Sequence, residues 1–218
     1  SYPNLYGMFQ PDSVATFQVA GTNYIVTANE GDGRKYFFDV ADEAACDAAI
    51  DKDMVEITDY DKKDGCLSYT DEVRVKDLTL DANAFPGIDA NESNGRLIVS
   101  IEYGATDGDG DYDELYTYGA RSFSIFSENG TLVFDSGDDF GKRTAEIHGE
   151  AFNNNGDENE GDTRSDAKGA EPEAVVVGDV NGHLLAFVGL ERMGGVFVYD
   201  VTDPHAAHAV DYFYNRGL

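Results

Sequence analysis

The stretch EPEAVVVGDVNGHLLAFVGLERMGGVFVYDVTD, residues 171–203, decides the fold. It holds three apolar runs, at residues 174–177, 184–190 and 196–201, which are separated by Asp-Val-Asn-Gly and Met-Gly-Gly. Short runs rich in Val, Leu and Phe between glycine turns are typical of consecutive antiparallel strands, and Asn181-Gly182 favours a tight primed turn. The stretch therefore predicts a β-meander.

An earlier part of the chain repeats this stretch. Residues 11–30 align with residues 172–191 without a gap, so that proline, a carboxylate, a valine, the turn glycine and a terminal glutamate coincide. A third, looser copy covers residues 95–102. Self-similarity in fixed order is the mark of repeat folds, and four strands per unit indicate propeller blades. The sequence predicts an all-β protein, a partial β-propeller with antiparallel four-stranded blades.

Two segments depart from the repeat. Residues 39–70 predict an insertion, because residues 40–50 are alanine-rich and helical in character and residues 51–65 are charged and turn-prone. Residues 138–168 are poor in apolar side chains, which predicts either a flexible loop or one that an ion orders. Further strands are expected at residues 13–19, 24–28, 72–80, 97–101, 122–126, 132–135 and 210–214. We expect residues 1–218 to form a single domain or a fragment of one.

The chain is strongly acidic. Its 218 residues include 15 Lys plus Arg against 43 Asp plus Glu, so the formal net charge is −28. Such a surface repels nucleic acid and anionic membranes and suits cations or high salt, although the acidity can also serve solubility alone. No apolar run is long enough to span a membrane, and no signal-peptide pattern stands at Ser1. The chain begins and ends abruptly, which predicts a mature or fragmentary piece of a longer protein.

The two cysteines, Cys46 and Cys66, both lie in the predicted insertion. A disulfide between them would staple a region with little core in an oxidising compartment and would contribute roughly 3 kcal/mol on the chain-entropy argument. Two free thiols are the alternative. Their spacing matches no zinc pattern.

The sharpest local motif is TDGDGDYDE, residues 106–114. Alternating carboxylates separated by glycines can turn several oxygens toward one point, and calcium prefers six to eight oxygen ligands. The motif resembles the start of an EF-hand loop, but Tyr112 replaces the expected glycine and no glutamate stands at the twelfth place. We therefore expect a calcium loop of another kind, with a solvated acidic turn as the alternative. The candidate ligands are Asp107, Asp109, Asp111, Asp113 and Glu114.

A second set of polar residues lies at the strand ends of the two main copies. If equivalent strands run toward a shared axis, these ends deliver carboxylates and a few arginines to one opening. Such a set can hold metal ions plus an anion such as phosphate, which arginine clamps with two hydrogen bonds. The alternative is that these residues cap strands and bridge neighbouring blades. The set comprises Asp12, Asn29, Glu30, Asp32, Glu171, Glu173, Glu191 and Arg192, with Arg34 and Arg121 at comparable turns.

Several motifs together resemble one family, the choice-of-anchor I domain. They are PDS at residues 11–13, TANEGD at 27–32, RVKDL at 74–78, DGDGDYDEL at 107–115, RSFSI at 121–125, FDSGDD at 134–139, RSDAKG at 164–169, EPE at 171–173 and LER at 190–192. The resemblance spans nearly the whole chain in the family's order. It implies a secreted bacterial β-propeller with an extracellular, cell-surface or periplasmic location, related to proteins labelled alkaline-phosphatase-like or mesenchyme-specific cell surface glycoprotein-like. Family domains are longer than this chain, which also implies a fragment.

The resemblance implies a first function, a metal-dependent phosphoesterase. Distantly similar propeller phosphatases use calcium, iron, glutamates and arginine at the channel mouth. By this resemblance, Ca²⁺ and a second metal, Fe or Ca, serve as cofactors for a small phosphorylated substrate. The catalytic candidates are Glu191, Arg192, Glu173 and Arg34, and the second metal or anion site comprises Asn29, Glu30, Asp32 and Glu171.

The alternative is a non-catalytic surface or adhesion module. Its blades would bind a glycan, a matrix or a partner chain without turnover. A partial ring also exposes unpaired strand edges. These edges would pair with the remainder of the propeller in a longer chain, or with another copy if the ring is truncated.

Overall fold

The computed structural model describes residues 3–49, 60–86, 93–156, 160–214 and 216. The described chain is built mainly of strands, with two α-helices and three short 3₁₀ turns at Val75–Asp77, Ser93–Arg96 and Gly149–Ala151. In chain order the elements are β1 Leu5–Met8, β2 Ser13–Val19, β3 Thr22–Asn29, β4 Lys35–Phe38, α1 Glu43–Ala49, β5 Tyr60–Asp61, β6 Gly65–Thr70, β7 Glu72–Arg74, β8 Ile98–Ser100, β9 Leu115–Tyr118, β10 Ser122–Ser127, β11 Leu132–Asp135, α2 Asp139–His148, β12 Pro172–Val180, β13 His183–Leu190, β14 Val196–Asp200 and β15 His208–Phe213.

The strands form four sheets, most of them antiparallel. Sheet A has the order β1-β9-β8-β7, sheet B β11-β10-β3-β2, sheet C β4-β6-β5 and sheet D β12-β13-β14-β15. The one parallel pair of named strands within the described residues is β1 with β9. The predicted all-β class is confirmed at this level, and the predicted meander is sheet D.

The two main copies of the repeat adopt matching backbones. The hairpins β2–β3 and β12–β13 turn at Ala20-Gly21, with φ of 50° and 85°, and at Asn181-Gly182, with φ of 55° and 87°. Positive φ at both central residues is the primed geometry that fits the right-handed twist of paired strands. The match extends one residue further toward the N-terminus, because Gln10 and Glu171 also have positive φ. The repeat therefore reflects a shared local structure.

Sheets B and D share one hydrophobic core. Strand β12 packs beside β2, and the Val175 backbone N–H donates to Ser13 Oγ at 3.2 Å. Fully buried side chains from both sheets meet there, including Val26, Phe123 and Val188. A smaller core under sheet A contains Val75, Phe85, Val99 and Leu115. These two cores hold the strand ends that carry the predicted site.

Sheet A follows the predictions only in part. The strand expected at residues 72–80 ends at Arg74, because the Val75 backbone bonds to Leu97 and its side chain enters the smaller core as the chain makes a 3₁₀ turn. The loose third copy contributes β8 to this sheet.

The backbone of sheet A comes into direct contact with the end of β3. A Cβ on Gly31 would lie 1.8 Å from the Gly119 nitrogen, and a Cβ on Gly119 would lie 1.8 Å from the Glu30 carbonyl oxygen. Both glycines also have positive φ, so the position of Glu30 depends on two residues without side chains.

The insertion contains the expected helix and disulfide. Helix α1 carries Cys46, which is bonded to Cys66 on β6 across a sequence separation of 20. The segment predicted as an insertion also contains strands β5 and β6. Strand β6 pairs with β4 on one side and β5 on the other, which forms sheet C. Residues 50–59 of the predicted insertion lie outside the described residues.

Residues 138–168 differ from the prediction of a flexible or ion-ordered loop. They contain helix α2, which one buried aromatic ring fixes to the core. The Phe140 ring is fully buried against Phe123, Phe197 and Tyr199. The Tyr199 hydroxyl donates to Asp139 Oδ2 at 2.5 Å. Because a single well-placed aromatic side chain can bury a large area, a segment of low average hydropathy is ordered by tertiary contacts.

Among the helices described, none combines the length and apolarity that crossing a lipid bilayer requires.

We expect Cys46→Ser to destabilise the insertion by about 3 kcal/mol, because the disulfide removes the loop-closure entropy of the unfolded chain. The measurement is amide hydrogen exchange of α1 and β6, with and without a reductant on the wild-type chain. Reductant should reproduce the effect of the substitution and leave sheets B and D protected. Equal loss of protection across all sheets, or none in α1, would contradict this local role.

Candidate functional site

Three glutamates from separate parts of the sequence meet at one point. Glu30 follows β3, Glu191 follows β13 and Glu171 precedes β12, and one carboxylate oxygen of each lies within 4.8 Å of the other two. We call these three residues the acidic triad. Glu30 and Glu191 occupy the same position in the two copies of the repeat, and the structure brings these two strand ends together.

Glu171 is the buried member of the triad. Its side chain is 0% exposed, and Arg164 donates to Oε1 from Nη2 at 2.5 Å and from Nε at 2.9 Å. The other oxygen, Oε2, lies 3.5 Å from both Lys168 Nζ and Arg192 Nε and makes no hydrogen bond. A buried carboxylate thus keeps one oxygen available toward the centre of the triad.

Lys168 places a positive charge between the acids. Its ammonium group bonds to Glu30 Oε1 and lies 3.6 Å from Asp32 Oδ1 and 3.5 Å from Glu171 Oε2. The loop that carries Arg164 and Lys168 is closed by a hydrogen bond from the Gly169 N–H to the Arg164 carbonyl at 2.9 Å. This short turn directs both cations to the same carboxylate.

The pKa shifts show that burial opposes ionisation within the triad. Burial would raise the pKa of Glu171, but the hydrogen bond from Arg164 and the charge of Lys168 hold it below the usual value. Burial raises the pKa of Glu30 despite Lys168. Burial and the neighbouring Glu171 carboxylate also raise the pKa of Glu191. Burial thus disfavours the charged form of two of the three acids.

The triad opens into a polar cleft of about 520 Å³. Six acidic and four basic side chains line it, so its net charge is negative even before Glu171 is counted. The predicted residues found in the lining are Asp12, Glu30, Asp32, Glu173, Glu191 and Arg192. The lining also contains four charged residues that were not predicted as site residues, namely Lys35, Glu72, Arg164 and Lys168.

Three other predicted residues are not in the lining of this cleft. Arg34 pairs with Asp71 at 2.7 Å, and its guanidinium lies 5.9 Å from the centre of the Tyr69 ring. Asn29 is fully buried and bonds to side chains on its own strand and on β10, so it joins two strands. Arg121 lines a second cleft, described below.

The aspartate loop does not converge as the triad does. Asp107 and Asp109 each accept a backbone N–H two residues on, at 3.2 Å, and Asp113 accepts from Thr106. Asp111 Oδ1 makes no hydrogen bond, and burial and the charge of Asp109 raise the pKa of this carboxyl. Among the described residues, no three carboxylates of this loop bring oxygens within 4.8 Å of one another. Glu114 accepts from the Tyr116 hydroxyl at 2.5 Å.

Sequence reasoning did not assign Arg164 and Lys168 to the site. The sequence did contain a signal for these two bases, because carboxylates that recur in register and become buried together require positive charges nearby. The motif RSDAKG supplies both a guanidinium and an ammonium a few residues before Glu171.

The profile of the choice-of-anchor I domain matches residues 1–204. The chain belongs to this family. The predicted family membership is thereby confirmed.

Two curated proteins are similar to parts or all of the chain. Gigasin-3a from Magallana gigas is 30% identical over 136 residues, which cover 60% of this chain and 48% of that protein. Mesenchyme-specific cell surface glycoprotein from Strongylocentrotus purpuratus is 24% identical over 233 aligned positions, covering 100% of this chain and 29% of that protein. This choice-of-anchor I chain thus spans less than half the length of either relative. No solved structure matches it significantly.

Replacing Arg164 with Met is expected to lower the free energy of unfolding by about 3–5 kcal/mol, because Glu171 would stay buried without its main partner. Urea unfolding measures the change. Arg96→Met serves as the control, since Arg96 is 65% exposed and shares Asp166 with Arg74. Its loss should cost less than about 1 kcal/mol. Adding Glu171→Gln to Arg164→Met should recover part of the loss, and equal costs for Arg164 and Arg96 would contradict the assignment.

Glu191→Gln should raise the melting temperature near neutral pH when divalent cations are absent. The folded-state pKa of Glu191 is raised above the ordinary value of 4.5, so its ionised form destabilises the fold above that pKa. Glutamine does not titrate and keeps an N–H that can donate to Glu171. The advantage should disappear as the pH falls below 4.5, which thermal unfolding in a chelator measures. A difference independent of pH would show that charge at this position is not responsible.

Proposed function

We propose that this chain is part of an extracellular surface module that binds a divalent cation at the acidic triad. The observation that carries the proposal is the buried Glu171 carboxylate, whose Oε2 makes no hydrogen bond and which offers one oxygen within 4.8 Å of oxygens from two further glutamates. A desolvated acceptor without a hydrogen bond is costly. A bound cation would satisfy it and would stabilise the ionised forms of Glu30 and Glu191, whose pKa values burial raises.

The extracellular setting has two supports. The curated relative named mesenchyme-specific cell surface glycoprotein aligns over the whole chain. The Cys46–Cys66 disulfide is typical of proteins from oxidising compartments. A cell-surface or periplasmic location agrees with both.

We also propose that sheets B and D are two blades of a β-propeller. Each has four strands, and sheet D is a simple meander, as propeller blades are. Their first strands, β2 and β12, lie side by side, and the two matched glutamates meet at the ends of the second strands. The remaining blades would come from the longer protein, and the free strand edges of this chain would pair with them or with a second copy.

Calcium is the cation that the ligands favour most. The triad offers oxygen atoms alone, which suit a hard cation with tolerant geometry, and carboxylates also accept iron. The aspartate loop is proposed as a separate calcium site, because the repulsion around Asp111 would be relieved by a cation there. Cation binding at the triad requires Lys168 to move away from Glu30, so the Lys168 ammonium competes with the metal for the triad carboxylates.

A phosphoesterase is the second candidate. It is favoured by Arg192 and Lys35, which line the same cleft as the triad and would have to leave Glu191 and Glu72 to hold a phosphorylated substrate. The surface module has stronger support, because Arg164 and Lys168 are already engaged by carboxylates and Arg34 pairs with Asp71 outside the cleft lining. As a surface module, the protein would bind a glycan, a matrix or a partner chain without turnover.

Calcium titration of chelator-stripped protein tests the proposed function. Isothermal titration should show two classes of site, one lost in Glu191→Gln and the other lost in Asp111→Asn. Glu146→Gln is the matched control, since Glu146 is exposed on α2 and loss of its charge should change calcium binding at neither class of site. Lys168→Met should tighten binding at the triad at least about tenfold, which corresponds to about 1.4 kcal/mol.

Two outcomes would contradict the proposal. If both classes of calcium site survived Glu191→Gln and Lys168→Met tightened neither, the triad would be removed as a calcium site. Hydrolysis of p-nitrophenyl phosphate in the presence of calcium, iron or manganese, with loss in Glu191→Gln, would replace the surface module by the phosphoesterase.

A further inference from the structure

A second cleft lies between the start of helix α2 and the loop that precedes β12. Its volume is about 240 Å³, room for about eight water molecules at about 30 Å³ each. Gly137, Asp138 and Gly141 form one wall, and Gly169 and Ala170 form another. The same loop therefore separates this cleft from the triad, because Arg164 and Lys168 line the first cleft.

The floor of the second cleft carries a cation without a counter-ion. Arg121 donates from Nη2 to the Ser165 and Ala167 carbonyls at 2.8 and 2.7 Å. Within the described parts of the chain, no carboxylate lies at ion-pairing distance from its guanidinium. The nearby acids, Asp166 and Glu171, are already paired with other bases. Since a partly buried charge without a partner is unfavourable, Arg121 makes this cleft attractive to an anion.

Helix α2 begins at the same place, and its N-terminal N–H groups lie beside the Asp138 carboxylate, which also lines the cleft. Its first turn faces the cleft at Asp138 and Gly141, and the Asp138 side chain makes no capping hydrogen bond to the helix backbone. That carboxylate pairs with Lys142 at 2.8 Å instead. The first N–H groups of a helix carry partial positive charge and bind anions when no side chain caps them.

An unpartnered acceptor lies beside these donors. Asn153 lines the cleft and is 5% exposed, and its Oδ1 makes no hydrogen bond. The orientation of the amide is fixed, because Nδ2 donates to Ser165 Oγ at 2.8 Å while the Ser165 hydroxyl donates to Asp162. A ligand in this cleft therefore needs a hydrogen-bond donor close to its negative charge.

We propose that the second cleft binds a small hydroxylated carboxylate, such as the sugar ring of a uronic acid. The carboxylate would bind Arg121 and the start of α2, and an adjacent hydroxyl would donate to Asn153 Oδ1. Acetate supplies the negative charge without that donor. A neutral sugar supplies the hydroxyl without the charge.

The test is titration of the wild-type chain with D-glucuronate, D-glucose and acetate in turn. Binding is measured by isothermal calorimetry or by the NMR chemical shifts of residues around the cleft. Glucuronate should bind at least about tenfold more tightly than either of the others, since each lacks one of the two interactions. Binding should be unchanged by a chelator, which separates this cleft from the cation site of the proposed function.

Two variants probe the cleft without removing the Arg121 contacts to the backbone. Asn153→Asp keeps the side-chain shape but places a carboxylate against the ligand, and it should weaken glucuronate binding at least about tenfold. Gly141→Ala adds a methyl group at a helical position where nothing lies within 4 Å, so it should stabilise α2 while narrowing the cleft and weakening binding. Lys62→Gln removes one exposed positive charge elsewhere and should leave binding unchanged.

Three outcomes would overturn the inference. Equal affinity for glucuronate and acetate would show that the cleft binds anions without recognising a hydroxyl group. Glucuronate binding that Asn153→Asp and Gly141→Ala leave intact would place the ligand elsewhere. No binding to a wild-type chain whose thermal unfolding shows it to be folded would mean that Arg121 and Asn153 serve the fold alone.

Discussion

The burial of one carboxylate constrains much of this structure. Glu171 is fully buried at the start of β12, and an ionised group there is tolerated only where opposite charges and hydrogen bonds surround it. Arg164 and Lys168 come from the preceding loop, and Arg192 comes from the turn after β13. The loop, the first strand of sheet D and the end of its second strand are thus fixed relative to one another by a single charge.

The repeat explains why this charge lies beside two others. Copies of one hairpin that pack side by side bring equivalent positions together, and Glu30 and Glu191 are such positions. The backbone contact between Gly31 and Gly119 holds the first of them in place. A fold assembled from similar units concentrates like charges at its strand ends, and it must then supply cations from the chain or from solution.

Much of the fold could be predicted because its signals are local. Alternating apolar residues and the Asn181-Gly182 turn mark sheet D, and the gapless repeat transfers that interpretation to β2 and β3. Helix α2 was missed because its stability comes from Phe140 in a core formed by distant strands, which average hydropathy does not show.

The acids of the site were likewise predictable from their register, whereas the positions of Arg164 and Lys168 depend on how a loop folds back. Arg34 follows the repeat closely in sequence but turns toward Asp71, because a side chain beyond the last strand residue is not fixed by the pairing of strands.

The strand order of sheet B has a consequence for the order in which its strands are synthesised. Asn29 on β3 bonds to Ser122 on β10 across a separation of 93 residues. At about 5–20 residues per second, the ribosome needs about 5–20 s to make the intervening chain. During that interval the β2–β3 hairpin lacks β10 and β12, the strands that pair with it and pack against it in the folded chain.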